Sequence, residues 1–314
     1  MTTVAKVISP GPQTTVQDAG RTGLRHLGVP QSGAVDRVSF ALTNASVGNH
    51  WDAPALECAL GGLALEFTLK SAFALGGADM TATLNGAPVP QYQQCPVQPG
   101  DKLALNQARI GLNGYVAIEG GVAGADFLGG VSTHLPARLG GIEGRALRSG
   151  DVITNNGSPG TPTEISAHLR PSLSHDWFLR AISGPEFDLF DAAAQQRFFS
   201  SSFTADRRGD RMGVRLNGDP MTAPGTPSMK SSAVFPGTVQ CPPDGAPFVL
   251  LSDAQTLGGY PRIAQVIDAD LPLAGQIRPG DRIWFREIAP KAARLITAQR
   301  ISYYSDIVKG FRFI

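Results

Sequence analysis

Apolar and polar positions alternate over short stretches along most of this chain. Leu63–Ala64–Leu65–Glu66–Phe67–Thr68–Leu69 repeats every second residue, the period of a half-buried strand. Tyr115–Val116–Ala117–Ile118 and Val152–Ile153 read as shorter strands. Phe248–Val249–Leu250–Leu251 and Ile263–Ala264–Gln265–Val266–Ile267 are continuous apolar runs, the pattern of strands covered on both faces. Hairpin signals stand at Asn85–Gly86, Asn113–Gly114, Asn217–Gly218 and Asp244–Gly245. Gly-Asp before an apolar run recurs at Gly100–Asp101, Gly150–Asp151 and Gly280–Asp281, each reading as a turn that feeds a strand.

Helical periodicity is confined to three places. Residues 36–47 carry Val38, Leu42 and Ala45 on one face, with Asp36 as N-cap and Gly48 as the stop. A second helix is expected after Pro185, with Phe187, Phe190, Ala194 and Phe198 as its stripe. A third is expected from Pro290, presenting Leu295, Ala298 and Ile301. Strands and long helices do not alternate regularly, which argues against a doubly wound sheet. The Gly157–Ser158–Pro159–Gly160–Thr161–Pro162 stretch is the best linker candidate. It predicts two β-rich halves, 1–160 and 161–314, the second ending in a helix.

Composition fits this picture. Gly 37 and Pro 24 in 314 residues suit short strands joined by tight turns. Charged residues make up only 17%, so either the core is large or a partner covers part of the surface. The formal net charge of +1 leaves no electrostatic footprint for nucleic acid or an anionic membrane. No stretch is apolar for long enough to be a signal peptide or to cross a bilayer, so a cytoplasmic protein is expected. Cys58, Cys95 and Cys241 are widely spaced and odd in number, which fits buried thiols in a reducing compartment. His26, His50, His134, His168 and His175 lack zinc-type spacing, so no metal site is expected from the chain itself.

The densest polar cluster is Asp253–Ala254–Gln255–Thr256–Leu257–Gly258–Gly259–Tyr260–Pro261, between the two apolar runs. Asp253, Gln255 and Tyr260 offer donors and acceptors, and Gly258 and Gly259 let backbone approach a ligand. Gln240 precedes this loop and joins it as a candidate. A second cluster spans residues 14–23 and contains Gln17, Asp18 and Arg21. Arg21 suits a carboxylate or phosphate, with Asp18 as orienter or base; the plainer alternative is an Asp–Arg pair bracing a turn. Residues 28–36 offer helix-start N–H groups to an anion, though Asp36 competes for them as the cap.

Residues 124–133 imitate a phosphate-binding P-loop, but Gly130 occupies the lysine position, which excludes one. Ser132 and Thr133 remain pocket candidates there. Arg211 and Arg215 lie four apart and would share one face of a strand, a pair suited to an anionic substrate or to structural salt bridges. A clamp role for Arg211 predicts an Arg211→Ala protein that folds but turns over slowly. Met229–Lys230 lacks the context of a biotinylated hairpin, so biotin is not expected on this chain.

These motifs occur in a telling order. Thr15–Val16–Gln17–Asp18–Ala19–Gly20–Arg21, Gly33–Ala34–Val35–Asp36, Asn44 with Gly48–Asn49, and Leu56–Glu57 come first. Gly120–Gly121, Ser132–Thr133, Gly140–Gly141, Gly150–Asp151, Gly184–Pro185, Asp210–Arg211–Met212–Gly213, Gln240 and residues 253–261 follow. In this series the chain resembles the KipA family along almost its whole length. That family includes the PxpC subunit of bacterial 5-oxoprolinase, allophanate hydrolase subunit two, and one half of the urea carboxylase carboxyltransferase domain. Val35, Leu257 and Met229–Lys230–Ser231–Ser232 depart from the family pattern and bear on which substrate is used.

The resemblance implies a mainly β fold of two cyclophilin-like β-barrel domains with a few peripheral helices. It implies a KipI/PxpB-like partner and a PxpA-like third subunit. It further implies ATP with Mg in the complex, and opening of the 5-oxoproline lactam to glutamate through phosphorylation of the carbonyl oxygen and attack by water. Arg21 and Arg211 are then the expected phosphate clamps, with Asp18 and Asp253 as further catalytic candidates. Gln17, Ser132, Thr133, Gln240, Gln255, Gly258, Gly259 and Tyr260 are the expected substrate contacts. Carboxyl transfer from a biotin carrier on another chain, or non-enzymatic sequestration of a kinase inhibitor, are the alternatives within the family. For the enzymatic readings the expected substrate is a small acid or amide.

Overall fold

Strands dominate the computed structural model, which describes residues 2–155, 157–158, 160–223 and 229–313. The chain divides into two compact units. Unit 1 comprises Met1–Arg21, Ser32–Leu173 and Tyr304–Arg312, and unit 2 comprises Thr22–Gln31, Ser174–Tyr303 and Phe313–Ile314. Unit 1 thus continues past the linker stretch expected at 157–162, of which Pro159 lies outside the described residues.

In unit 1 the strands are β1 (Thr2–Pro10), β2 (Gln13–Gln17), β3 (Ala55–Ala59), β4 (Leu63–Phe67), β5 (Ser71–Asp79), β6 (Thr83–Leu84), β7 (Ala87–Pro88), β8 (Cys95–Val97), β9 (Lys102–Ala104), β10 (Ile110–Ile118) and β11 (Val152–Asn155). Among the described residues they form a six-stranded sheet ordered β11-β1-β4-β9-β6-β7 and a five-stranded sheet ordered β2-β3-β10-β5-β8. Both sheets contribute to one core. Val4, Val7, Leu63, Leu65, Phe67 and Ile153 come from the first, and Val16, Leu56, Phe73, Leu75, Val116 and Ile118 from the second. The other face of the five-stranded sheet is covered by α1 (Arg37–Ser46), where Phe40 packs with Ala74, Tyr115 and Ala117. That cover explains why β5 is buried almost throughout while β4 keeps the strict alternation of a one-sided strand. Asp36 caps α1 as expected, its carboxylate accepting the Ser39 N–H at 2.9 Å.

In unit 2 the strands are β12 (Asp176–Ser183), β13 (Ser202–Ala205), β14 (Gly213–Asn217), β15 (Ser232–Ala233), β16 (Thr238–Gln240), β17 (Phe248–Leu250), β18 (Leu257–Gly258), β19 (Arg262–Val266) and β20 (Arg282–Glu287). Seven of these close into a barrel ordered β12-β19-β16-β17-β14-β13-β20, and β15 and β18 pair beside it. The β12–β20 pair is parallel. Trp177, Leu179, Ile283 and Phe285 are buried in the barrel, while Phe178 and Trp284 stack outside at 5.0 Å. The remaining α-helices among the described residues are α2 (Ala192–Ser200), α3 (Leu271–Ala274) and α4 (Pro290–Ser305). No described helix is long and apolar enough to cross a membrane.

The expected mainly β architecture with few helices holds, and several local expectations change. The stripe from Phe187 to Phe198 is not one helix. A short 3-10 turn over Phe187–Leu189 ends at Phe190, which is extended, and α2 then starts afresh behind Asp191. Asp191 accepts the Ala194 N–H at 2.7 Å, so an N-cap competes with helix continuation. Asn113–Gly114 is not a hairpin turn either: it lies inside β10, paired on one side with β3 and on the other with β5. Asn85–Gly86 does join β6 to β7, with both residues at positive φ as this tight turn requires. Cys58 and Cys241 are buried free thiols and Cys95 is partly exposed; burial raises the pKa of all three above the ordinary thiol value.

The three Gly-Asp turns share one hydrogen-bond pattern. The glycine N–H donates to a carbonyl of the adjoining strand, and that same residue returns its N–H to the aspartate carbonyl. Phe67, Val7 and Ala205 are the residues held by Gly100–Asp101, Gly150–Asp151 and Gly280–Asp281. Each aspartate side chain also accepts the N–H three residues back, from Gln98, Arg148 and Arg278.

Candidate functional site

In unit 1 the fold brings Gln17, Asp18 and Arg21 against Ser132 and Thr133. Thr133 N–H and its hydroxyl both donate to the Val16 carbonyl, at 2.9 and 3.0 Å, which docks the 130s loop on the end of β2. Gln17 donates to the Thr133 carbonyl at 3.1 Å and to Thr15 Oγ1 at 2.9 Å. Asp18 accepts the Gly20 and Val131 N–H groups, each at 2.7 Å, and the Ser132 hydroxyl. Arg21 is only 2% exposed. It donates to the carbonyls of Phe127 at 2.8 Å, Gly130 at 3.1 Å and Ser132 at 2.7 Å, and its guanidinium lies 5.6 Å from the Phe127 ring centroid. The cluster is real, but its polar groups are turned on one another. Both residues hold the loop, Arg21 through its carbonyls and Asp18 through its N–H groups.

Unit 2 holds the second cluster. Arg211 precedes β14 rather than lying in it, so it does not share a strand face with Arg215. Its Nε and Nη2 instead form a side-on pair with Asp253, at 2.9 and 3.1 Å, both residues being buried. Arg215 turns to Asp244. Arg21 and Arg211 thus both donate to groups of this chain.

The rest of the 253–261 loop is more open. Gln255 Nε2 approaches Gln240 Oε1 at 3.3 Å, and Gln240 Nε2 approaches the Tyr260 carbonyl at 3.4 Å. Both are at the long, weak end of the hydrogen-bond range. A Cβ on Gly258 would come within 2.4 Å of Gln240 Nε2, so a side chain there would push the glutamine amide aside. The Gly259 carbonyl accepts the Met229 N–H at 3.2 Å, and the Tyr260 side chain is partly exposed. Gln240, Gln255, Gly258, Gly259 and Tyr260 thus gather at one place, whereas Asp253 is engaged below it by Arg211.

Arg25 belongs to this place and escaped the sequence reading. Its Nη2 donates to the Val234 carbonyl at 2.6 Å and the Gln255 carbonyl at 2.9 Å. A lone arginine in a loop carries no spacing signal, and its partners lie 209 and 230 residues away. Arg262 supports the same loop, meeting Glu186 at 2.7 and 2.6 Å and the Ala233 carbonyl at 2.7 Å.

The Arg262 hydrogen bonds hold the Glu186 carboxyl below the ordinary glutamate value of 4.5, against the opposing effect of partial burial. The folded-state pKa lies below the unfolded one, so the stabilisation is full above 4.5 and fades as pH falls through the depressed value. Glu186→Gln is expected to cost about 1 kcal/mol near neutrality. Melting curves of variant and wild type should converge in acid, and a gap that persists at low pH would contradict the assignment.

Known proteins resemble this chain over most of its length. The carboxyltransferase domain family, subdomain A and B, matches residues 27–287. The chain belongs to that carboxyltransferase family. Within it, the chain is 37% identical to a 5-oxoprolinase subunit of Escherichia coli over 302 residues, covering 96% of this chain and 97% of the relative. It is 35% identical to the urea amidolyase of Lachancea kluyveri, covering 92% of this chain but 17% of that protein. The crystal structure of Kluyveromyces lactis urea carboxylase superposes with a TM-score of 0.92 at 30% identity, over 98% of this chain and 29% of that one. This carboxyltransferase-family chain thus spans less than a third of those larger proteins.

Proposed function

We propose that this chain is one subunit of an ATP-dependent 5-oxoprolinase, which opens the lactam of 5-oxoproline to glutamate. The observation that carries the reading is the 37% identity spread over 97% of the Escherichia coli 5-oxoprolinase subunit. In this reading the chain acts in the cytoplasm with a KipI/PxpB-like subunit and a PxpA-like subunit. ATP and its Mg are held by those partners, because Arg21 and Arg211 are occupied within this chain.

This chain's own contribution is to bind and orient the lactam. A cyclic amide presents one N–H donor and one carbonyl acceptor. The Gln240 and Gln255 amides, only weakly joined at 3.3 Å, can exchange that contact for both. The Gly258–Gly259 backbone keeps the approach open, and Tyr260 borders it. Unit 1 residues Gln17, Asp18, Arg21, Ser132 and Thr133 hold their own loop in place.

Reconstitution tests the reading. The chain mixed with its two partners should hydrolyse ATP only when 5-oxoproline is present, and omission of any subunit should abolish the coupling. The family match and the urea amidolyase relative favour one competitor, carboxyl transfer from carboxybiotin. That activity, seen with a separate biotin carrier and without 5-oxoproline turnover, would replace the proposal. Tight partner binding with neither activity would leave a regulatory role of the KipA type.

A further inference from the structure

Three arginines of unit 2, buried or half-buried, meet a carboxylate side-on or through two bonds. Arg180 meets Asp270, Arg211 meets Asp253, and Arg262 meets Glu186. Arg25 differs. Its Nη2 is held by the Val234 and Gln255 carbonyls, while Nε and Nη1 are shielded from solvent and have no hydrogen-bond partner. Burial without a counter-charge pulls its pKa below the usual guanidinium value. Shielded cationic donors with nothing to donate to are costly, and an anion placed against them removes that cost.

The surroundings suit a small ligand. The Gln255 whose carbonyl anchors Arg25 also carries the amide that faces Gln240. The Phe235 ring lies over the guanidinium, its centroid 5.6 Å away, and is itself 53% exposed. A carboxylate on Arg25 would place the body of a small cyclic acid toward the glutamine amides.

We propose that Arg25 is a substrate-binding residue whose Nε and Nη1 N–H groups receive the carboxylate of the small acid bound by unit 2. The acid takes its name, 5-oxoproline, from the oxoprolinase reading; the recognition of a carboxylate does not depend on it. An uncharged amide such as urea would leave these donors unmet, so Arg25 selects acids over neutral amides.

The experiment compares 5-oxoproline with 2-pyrrolidinone, the same lactam without the carboxylate. Binding of each is measured by calorimetry to the full chain assembled with its partners, for wild type, Arg25→Gln and Arg25→Lys. Wild type should prefer 5-oxoproline by about 10- to 100-fold, the size expected for charge-assisted hydrogen bonds. Arg25→Gln should bring the two ligands near parity by weakening 5-oxoproline alone, and Arg25→Lys should keep part of the preference. Equal weakening of both ligands would show that Arg25 merely braces the loop, and would overturn the proposal. So would a preference that survives Arg25→Gln, or its absence in wild type. An Arg25-dependent preference without 5-oxoproline turnover would retire the oxoprolinase reading and leave this one standing.

Discussion

Arg211→Ala is expected to lower the stability of the protein by about 3–5 kcal/mol, the usual cost of stranding one member of a buried ion pair. Asp253 is 2% exposed, and its carboxylate receives the Arg211 Nε and Nη2 donors. The backbone adds to the pairing, since the Asp253 N–H donates to the Arg211 carbonyl at 3.0 Å. Removing the arginine leaves a shielded negative charge and a cavity. A conservative apolar pair, Arg211→Met with Asp253→Leu, should recover most of the loss, because both charges then leave together. Chemical denaturation of the three variants measures this. An Arg211→Ala protein as stable as wild type but slow in turnover would restore the clamp role read from sequence and remove the structural one.

Arg21→Ala is the second large effect, expected at about 3 kcal/mol or more. Three loop carbonyls, those of Phe127, Gly130 and Ser132, lose a donor at once. The Ser132 carbonyl is left a stranded buried acceptor at about 1–3 kcal/mol and the space of a fully buried side chain adds to the loss, while the Phe127 and Gly130 carbonyls keep each other's N–H groups. The consequence should be regional. The Val131 N–H, held by Asp18 at 2.7 Å, belongs to the same loop and should exchange with solvent faster in the variant. Amide exchange that is unchanged over residues 127–133 would contradict the bracing role. Arg21→Lys should fall between, since an ammonium cannot span three carbonyls in one plane.

Features set by local chemistry were legible in the sequence. The cap at Asp36, the three Gly-Asp turns, the alternation of Leu63, Leu65 and Phe67, and the helix from Pro290 all depend on near neighbours. Errors arose where distant partners decide. Asn113–Gly114 favours a turn locally, yet strands on both sides hold it extended. The aromatic stripe after Pro185 has helical spacing, but Asp191 restarts the helix midway.

The site followed the same division. The 253–261 loop announced itself through composition, and Gln240, Gln255, Gly258, Gly259 and Tyr260 do assemble there. Arg21 and Arg211 were recognised as important, while their partners were not. An arginine clasping its own chain and an arginine awaiting an anion have the same local sequence, and the difference lies in carbonyls and carboxylates tens to hundreds of residues away. Arg25 shows the converse, with nothing local to mark it and two distant carbonyls to fix it.

The Gly-Asp turns carry a consequence for how the chain avoids misfolding. Each straddles a single residue of the neighbouring strand, so a slip by one position would break two backbone bonds and send the alternating side chains to the wrong face. Pairings such as Val7 with Asp151 and Ala205 with Asp281 link segments far apart in the chain, where topology makes assembly slow. Three copies of one latch, each admitting a single alignment, serve as proofreading points for a protein built largely from remote pairings.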